Sequence, residues 1–299
     1  VKLGIPLGWP GPVAEIGPAV ARVARLADEG GIDSIWTADH LFQIPVTSLP
    51  REAPMLEAYA TLAYLAGQTR NIQLGAMVTC VAYRHPAMLI KAVTSLDVLS
   101  GGRTIFGVGA GWDVEEAHSL GIPFPPTAER FERLEELLQI AQQMWSDDQS
   151  PFDGRHYQLA RPLNSPNSLR RPHPPILIGG SGEKKTLRLV AQYADACNFF
   201  DLPGRYGVDL AHKLDVLRTH CDSMRRDFTS IEKTALTAFD FGSRPSKRRD
   251  LIAHIHRLAD VGIDHVIFMG PHFEWGDELD DIISIVDEVH SLTPNRSGP

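Results

Sequence analysis

A short apolar run followed by a longer amphipathic one recurs eight times along this chain, and few folds accept that rhythm. The apolar runs fall at 2–7, 34–37, 72–78, 104–108, 175–178, 194–199, 234–239 and 266–269. The amphipathic runs fall at 15–29, 54–67, 86–99, 128–145, 184–192, 207–226, 247–260 and 277–291. Strands alternating with helices argue for a parallel sheet, and eight even units favour a closed (β/α)8 barrel over an open sheet. A chain of 299 residues that is 43% hydrophobic has room for one such barrel or for two smaller domains. The turns decide for a repeated unit. Ala27-Asp28-Glu29-Gly30-Gly31-Ile32 and Leu258-Ala259-Asp260-Val261-Gly262-Ile263 share one pattern, a helix ending on glycine before an apolar strand, and Ser100-Gly101-Gly102 repeats it. Glycine there supplies a left-handed helix cap. The fold class expected is α/β, a (β/α)8 TIM barrel, as a single domain over 1–299.

The fourth helix, 128–145, carries Phe131, Leu134, Leu137, Leu138, Ile140, Ala141, Met144 and Trp145 near a 3.6-residue period. Thr127 reads as its N-cap. After it, 146–174 breaks the rhythm, with prolines and with Asp153-Gly154 as the centre of a small hairpin. This insertion is either a functional loop at the barrel mouth or a surface excursion.

The net charge of −8 and the absence of a long basic run argue against nucleic acid as a partner. Lys247-Arg248-Arg249 reads as the solvated start of a helix. Cys80, Cys197 and Cys221 have no metal or CxxC spacing, and so sparse and odd a set suits a reducing cytoplasm. No apolar run approaches the roughly 20 residues of a membrane span. The opening residues already read as a strand, so no signal peptide is expected there.

In such barrels chemistry sits at the C-terminal ends of the strands. The residues there are Gly8-Trp9, Asp39-His40, Val78-Thr79-Cys80, Gly109-Ala110-Gly111-Trp112, Gly179-Gly180-Ser181-Gly182, Phe200-Asp201, Asp240 and Gly270-Pro271-His272. The set is aromatic and glycine-rich, with few acids. Asp39-His40 is the sharpest pair. His40 suits a general acid or base, a hydrogen-bond partner of a ring cofactor, or a metal ligand; alternatively Asp39 caps a loop and His40 is a satisfied, partly buried side chain. Gly179–Gly182, between a strand and a helix, offers amides and the Ser181 hydroxyl to an anion, with Lys184 and Lys185 following, or is a plain tight turn. Metal hydrolysis fits poorly: His254 and His256 lie on a helix, where i and i+2 do not face each other, and no metal is expected. No G-x-S-x-G elbow occurs, and Gly107-x-Gly109-x-Gly111 lacks the dinucleotide-binding spacing.

The stretches 34–40, 74–86, 95–103, 106–112, 123–138, 152–159 and 176–198, taken jointly, resemble the bacterial luciferase-like flavin/deazaflavin superfamily. The resemblance is strongest to its coenzyme F420-dependent oxidoreductases of actinobacterial type. It implies a barrel holding a flavin-shaped ring over the strand ends, and a non-proline cis peptide at Met77-Val78 backing that ring. It implies that Asp39 and His40 face the ring, with His40 as the catalytic residue. It assigns Gly179, Gly180, Ser181 and Gly182 to the phosphate, and Ala110, Gly111 and Trp112 to the ring edge. Thr79, and Tyr157 in the matched 152–159 stretch, join the cofactor-binding set. One departure is plain: some F420 dehydrogenases carry a carboxylate where this chain has Trp112, so a sugar-phosphate mechanism does not carry over.

Hydride transfer needs two carbons held close and water kept out more than it needs many acids and bases. Trp9, Met77, Trp112 and Phe200 would supply an apolar cleft. The function expected is an F420-dependent oxidoreductase acting on a small organic substrate. The alternatives are an FMN-dependent monooxygenase using reduced flavin and O2, and a cofactor carrier without catalysis. A homodimer is implied by the resemblance alone, and no motif names the substrate.

Overall fold

The computed structural model describes residues 1–8, 11–45, 49–202, 207–242, 247–269 and 275–295. The chain runs β1 (Lys2–Pro6), α1 (Val13–Glu29), β2 (Ser34–Thr37), α2 (Ala58–Ala66), β3 (Gln73–Ala76), β4 (Thr79–Cys80), α3 (Pro86–Ser100) and β5 (Thr104–Gly109). It continues through α4 (Val114–Ser119), α5 (Thr127–Trp145), β6 (Phe152–Asp153), β7 (Gln158–Leu159), β8 (Ile176–Gly179), α6 (Thr186–Tyr193) and β9 (Ala196–Asp201). Then follow α7 (Leu210–Met224), β10 (Glu232–Ala238), α8 (Lys247–Val261), β11 (His265–Met269), α9 (Asp277–Ile283) and α10 (Val286–His290).

Parallel pairing runs β3-β2-β1-β11-β10-β9-β8-β5, and β3 pairs again with β5, at Leu74–Thr104 and Gly75–Ile105, which closes the barrel. This is the expected (β/α)8 fold. One face of each strand points outward into the layer beneath the helices, where β1 alone contributes Leu3 and Ile5. The other face fills the barrel with Trp36, Ile105, Leu177, Ala196, Leu236 and Ile267. Strands buried on both sides read as unbroken apolar runs, which is why the eight were visible in the sequence.

Four local readings need correction. The third strand does not run to 78: it stops at Ala76 and resumes as β4, because Met77-Val78 is a cis peptide that bulges out of the ladder. The last helix is two, α9 and α10, separated by Ser284 and Ile285. The six-residue α4 is too short to show a period. Thr127 is the first helical residue rather than the cap, and its hydroxyl accepts a hydrogen bond from Arg130 Nη2 at 3.2 Å. The αL glycines are as read, with Gly101 capping α3 at φ 72°.

The insertion leaves α5 at the floor of the barrel and doubles back along that helix. The β6–β7 hairpin is held by Glu136, whose carboxylate accepts the amides of Arg155, His156 and Tyr157 at 2.8–3.0 Å. At 1.5 Å per residue, Glu136 lies about 14 Å up the helix from Trp145. The return leg is pinned to α3: buried Asp97 accepts Ser168 Oγ at 2.6 Å and the amides of Leu169 and Arg170 at 2.8 and 3.1 Å. The insertion is thus packed structure whose hairpin reaches toward the mouth.

Candidate active site

Val78 organises the mouth of the barrel. A Cβ on Gly109 would stand 2.8 Å from Val78 Cγ2, and one on Gly179 would stand 2.8 Å from Cγ1. A Cβ on Gly107 would stand 2.0 Å from the carbonyl oxygen of Ala76, at the base of the bulge. These glycines on β5 and β8 therefore make room for the bulge. Met77 and Val78 cap the inner cluster and are partly exposed to the cleft, together with Met269 and Phe200. Trp9 and Gly270-Pro271-His272 lie outside the described residues.

His40 follows β2 at this same end. Its ring lies 5.2 Å from that of Trp112, which is 57% exposed. His40 Nδ1 is 2.8 Å from Oε2 of Glu116, a fully buried carboxylate. The same Oε2 accepts the Tyr83 hydroxyl at 2.5 Å, and Oε1 accepts the amides of Leu41 and Phe42 at 2.5 and 2.7 Å. Asp113 caps α4 by accepting the Glu116 amide at 3.0 Å and is itself gripped by Arg51 at 3.0 and 3.1 Å. His40, Asp113 and Glu116 bring three potential metal ligands together. Each of their carboxylate oxygens is already bonded by an N–H or O–H donor, so the cluster is an ion-paired network rather than a cation cage.

The other expected residues separate into two groups. Ala110, Gly111 and Trp112 follow β5 at the mouth; Arg130 holds the carbonyls of Ala110 and Gly111 at 2.9 and 3.4 Å, and Gly111, at φ 74°, leaves room for Cys80 Sγ. Gly179–Gly182 form the β8–α6 turn. There Gly180, at φ 114°, spends its amide on Asn198 O at 3.1 Å, so an anion would meet the amides beyond it and the Ser181 hydroxyl. Asp39 and Thr79 point elsewhere. Asp39 is buried in a two-pronged pair with Arg84 at 2.7 and 2.8 Å and accepts the Cys80 amide. Thr79 Oγ1 bonds the Tyr59 hydroxyl at 2.7 Å. Asp39 ties the β2 and β4 ends together, and Thr79 ties β4 to α2. Tyr157 meets His85 edge-on, has the Arg133 guanidinium over its ring and, with Tyr83 and Arg84, lines a cavity of about 470 Å³.

Glu116, Tyr83, Arg84 and Arg51 are not among the residues the sequence singles out. Asp113-x-x-Glu116 is a helix-start pattern that hints at α4, but nothing local says that Glu116 reaches back 76 residues to His40.

A second network runs from the surface into the barrel floor: Lys2 Nζ to Glu232 Oε2 at 2.6 Å, Glu232 Oε1 to the buried His265 Nδ1 at 2.8 Å, His265 Nε2 to Ser34 Oγ at 2.8 Å, and Trp36 Nε1 to Ser34 Oγ at 2.7 Å. Burial pushes the Glu232 carboxyl up, but the His265 hydrogen bond and the charges of His265 and Lys2 outweigh it and hold it down at about 2. Glu116 is likewise held at about 2, with burial opposed by His40, Tyr83 and the Phe42 amide. A carboxyl depressed in the folded state stabilises the fold above its unfolded pKa and loses that contribution as pH falls toward the folded value. From an ordinary value of 4.5, each carboxylate contributes roughly 3 kcal/mol at neutral pH, fading between about pH 4.5 and 2. In Glu232→Gln the fall in unfolding free energy between pH 7 and pH 3, measured by urea titration, shrinks by about 2 kcal/mol. An unchanged fall would remove Glu232 from the account.

The luciferase-like monooxygenase family pattern matches residues 10–230. An F420-dependent glucose-6-phosphate dehydrogenase of Kineococcus radiotolerans is 31% identical over 250 residues, covering 81% of this chain and 69% of that protein. Among solved structures, an F420-dependent secondary alcohol dehydrogenase in complex with an F420-acetone adduct matches at TM-score 0.77 and 16% identity, over 96% of this chain and 98% of the other. The coenzyme F420-dependent tetrahydromethanopterin reductase of Methanopyrus kandleri matches at 0.74 and 17%, over 97% and 98%. At those identities the structural likeness is one of fold.

Proposed function

The chain belongs to the luciferase-like monooxygenase family, and from that membership we propose that this oxidoreductase uses coenzyme F420 to transfer a hydride to or from a small organic substrate. The observation that carries the reading is the convergence, at one end of the barrel, of the Met77-Val78 bulge, His40 with Trp112, and the Gly179–Gly182 turn. The residues fit a planar ring with a phosphorylated tail. The bulge offers a shallow apolar floor, and the turn after β8 offers amides with no side chain in the way. Trp112 and Phe200 supply apolar walls.

When bound, F420 supplies a ring carbon that accepts or releases a hydride. The chain's own work is to hold that ring flat against Met77 and Val78, to keep water from the reacting face, and to manage one proton. His40 is the group placed for the proton, with its ring fixed by Glu116 and flanked by Trp112. With Trp112 standing where some relatives carry a carboxylate, the proton task is assigned to His40.

A homodimer belongs to the same proposal. Tyr64, Met88 and Leu99 are exposed on the adjacent helices α2 and α3, on the side away from the barrel, and a second copy would cover them. Cys80, Cys197 and Cys221 are free and buried, which suits a reducing cytoplasm. No helix among the described residues is long and apolar enough to cross a membrane.

Titration of the purified protein with F420 and with FMN, followed by ring fluorescence, tests the reading. Saturable F420 binding at micromolar concentration is expected; tight FMN binding with none for F420 would transfer the site to the flavin monooxygenases.

A further inference from the structure

His40 and Glu116 come from two connections of the mouth, one after β2 and the other in α4 after β5, with β3 between those strands, and their contact is unusually complete. A carboxylate has about four lone-pair positions, and all four of Glu116 are taken: two by the amides that follow His40, one by Tyr83 and one by His40 Nδ1. A buried carboxylate filled in this way has no position left for a proton, so it stays an anion and can only accept. The ring nitrogen it faces must therefore carry the hydrogen. Nε2, at the other end of the ring, has no hydrogen-bond partner among the described residues.

We propose that Glu116 is the positioning residue of the site: through the bonds it accepts from His40 Nδ1, Leu41, Phe42 and Tyr83, it holds His40 as the Nδ1–H form and presents Nε2 to the ligand. This rests on the reading of His40 as the proton-handling residue of an F420 enzyme. The low pKa of Glu116 agrees with the geometry. Charged and titratable groups facing the pair are Tyr83 on the β4–α3 loop, Asp113 at the start of α4, and Arg51 through Asp113. Arg51 and Asp113 anchor the α4 end that carries Glu116, so the loop after β2 and α4 are fixed as one body around His40.

The arrangement separates charge from shape. A glutamine at 116 has nearly the same volume, but one of its two heads is an NH2 donor. That head cannot accept from Nδ1; it donates to it, and His40 must move its hydrogen to Nε2. The nitrogen offered to the ligand then changes from acceptor to donor with little change in packing.

The test is made first on the protein without cofactor. Two-bond 1H–15N spectra of protein with 15N-ring-labelled histidine, recorded above the histidine titration range, give the tautomer of each ring, and His40→Ala assigns the His40 signals. The expected wild-type pattern is a pyrrole-type Nδ1 and a pyridine-type Nε2, reversed in Glu116→Gln. With F420, Glu116→Gln is expected to lower kcat by about 10- to 10⁴-fold, from the loss typical of an orienting partner up to that of an imidazole held in the wrong tautomer, with the F420 dissociation constant within about twofold. Tyr83→Phe removes one of the four donors but not the carboxylate, so it keeps the wild-type tautomer. An Nε2–H wild-type ring overturns the proposal whether or not any variant folds, and so does a Glu116→Gln protein with an unchanged tautomer. Failure of F420 to bind, with the tautomer as expected, would instead count against the cofactor reading and leave the role of Glu116 standing.

Discussion

His40→Ala is expected to slow hydride transfer with F420 by about 10²- to 10⁴-fold, the contribution usual for a positioned acid–base group, while the F420 dissociation constant changes by no more than about threefold. The split follows from placement. In the proposed function the ring would rest on the Met77-Val78 bulge and the tail on the β8–α6 turn, so little of the binding would depend on one imidazole. The proton, by contrast, has His40 as its carrier. The substitution also has a structural cost. It removes one of the four donors to a buried carboxylate, worth about 1–3 kcal/mol, so a lower melting temperature alone does not establish a catalytic role. His40→Asn separates the two effects, because its side-chain amide can still donate toward Glu116 without an exchangeable proton of suitable acidity. Equal kcat losses in both variants, with stability recovered in the asparagine one, place His40 in the chemistry. Recovery of kcat by asparagine would reduce His40 to a structural donor.

Gly107→Ala has the largest expected effect on the fold. Its Cβ would stand 2.0 Å from the Ala76 carbonyl oxygen, which is backbone on a neighbouring strand next to the closing pairs Leu74–Thr104 and Gly75–Ile105. A side chain can turn aside, but this oxygen moves only if β3 or the bulge moves. The strain belongs at or above the upper end of that seen for overpacked cores, about 3 kcal/mol or more. At roughly 2–4 °C per kcal/mol for a chain of this size or somewhat smaller, the melting temperature falls by about 6 °C or more. Because the displaced residues are those that floor the cleft, F420 binding should weaken with it. Gly109→Ala is the control: its Cβ meets the end of Val78 at 2.8 Å, a side chain that can rotate, so the loss is expected to be smaller. Differential scanning calorimetry of the two variants decides the matter. A Gly107→Ala protein that melts within about 2 °C of wild type would show that the bulge yields easily and does not depend on a bare position 107.

The barrel was legible because its cause is periodic. Each strand is buried on two faces and each helix on one, and that difference is written locally in every unit. The bulge was not legible from periodicity, since an apolar run looks the same whether or not it is broken at Met77-Val78; only resemblance placed it. The glycines at 107, 109 and 179 were visible, but the atoms they avoid come from a strand some 30 to 100 residues away, so the reason for them was not. His40 stood out by its place after a strand. Its partner did not, because Glu116 looks like one more acid at the start of a short helix until the chain is closed. Asp39 shows the converse: adjacent to His40 in sequence, it is turned into a pair with Arg84 that joins two loops.

Trp112 has a use apart from any chemistry. Of the described tryptophans, Trp36, Trp145 and Trp275 are shielded inside the protein, whereas Trp112 stands 57% exposed beside His40. A dissolved quencher reaches its indole far sooner than it reaches theirs, and any molecule that settles in the mouth shades it. The emission of this one side chain is therefore an optical gauge of whether the cleft is filled, readable for ligands that have no colour of their own.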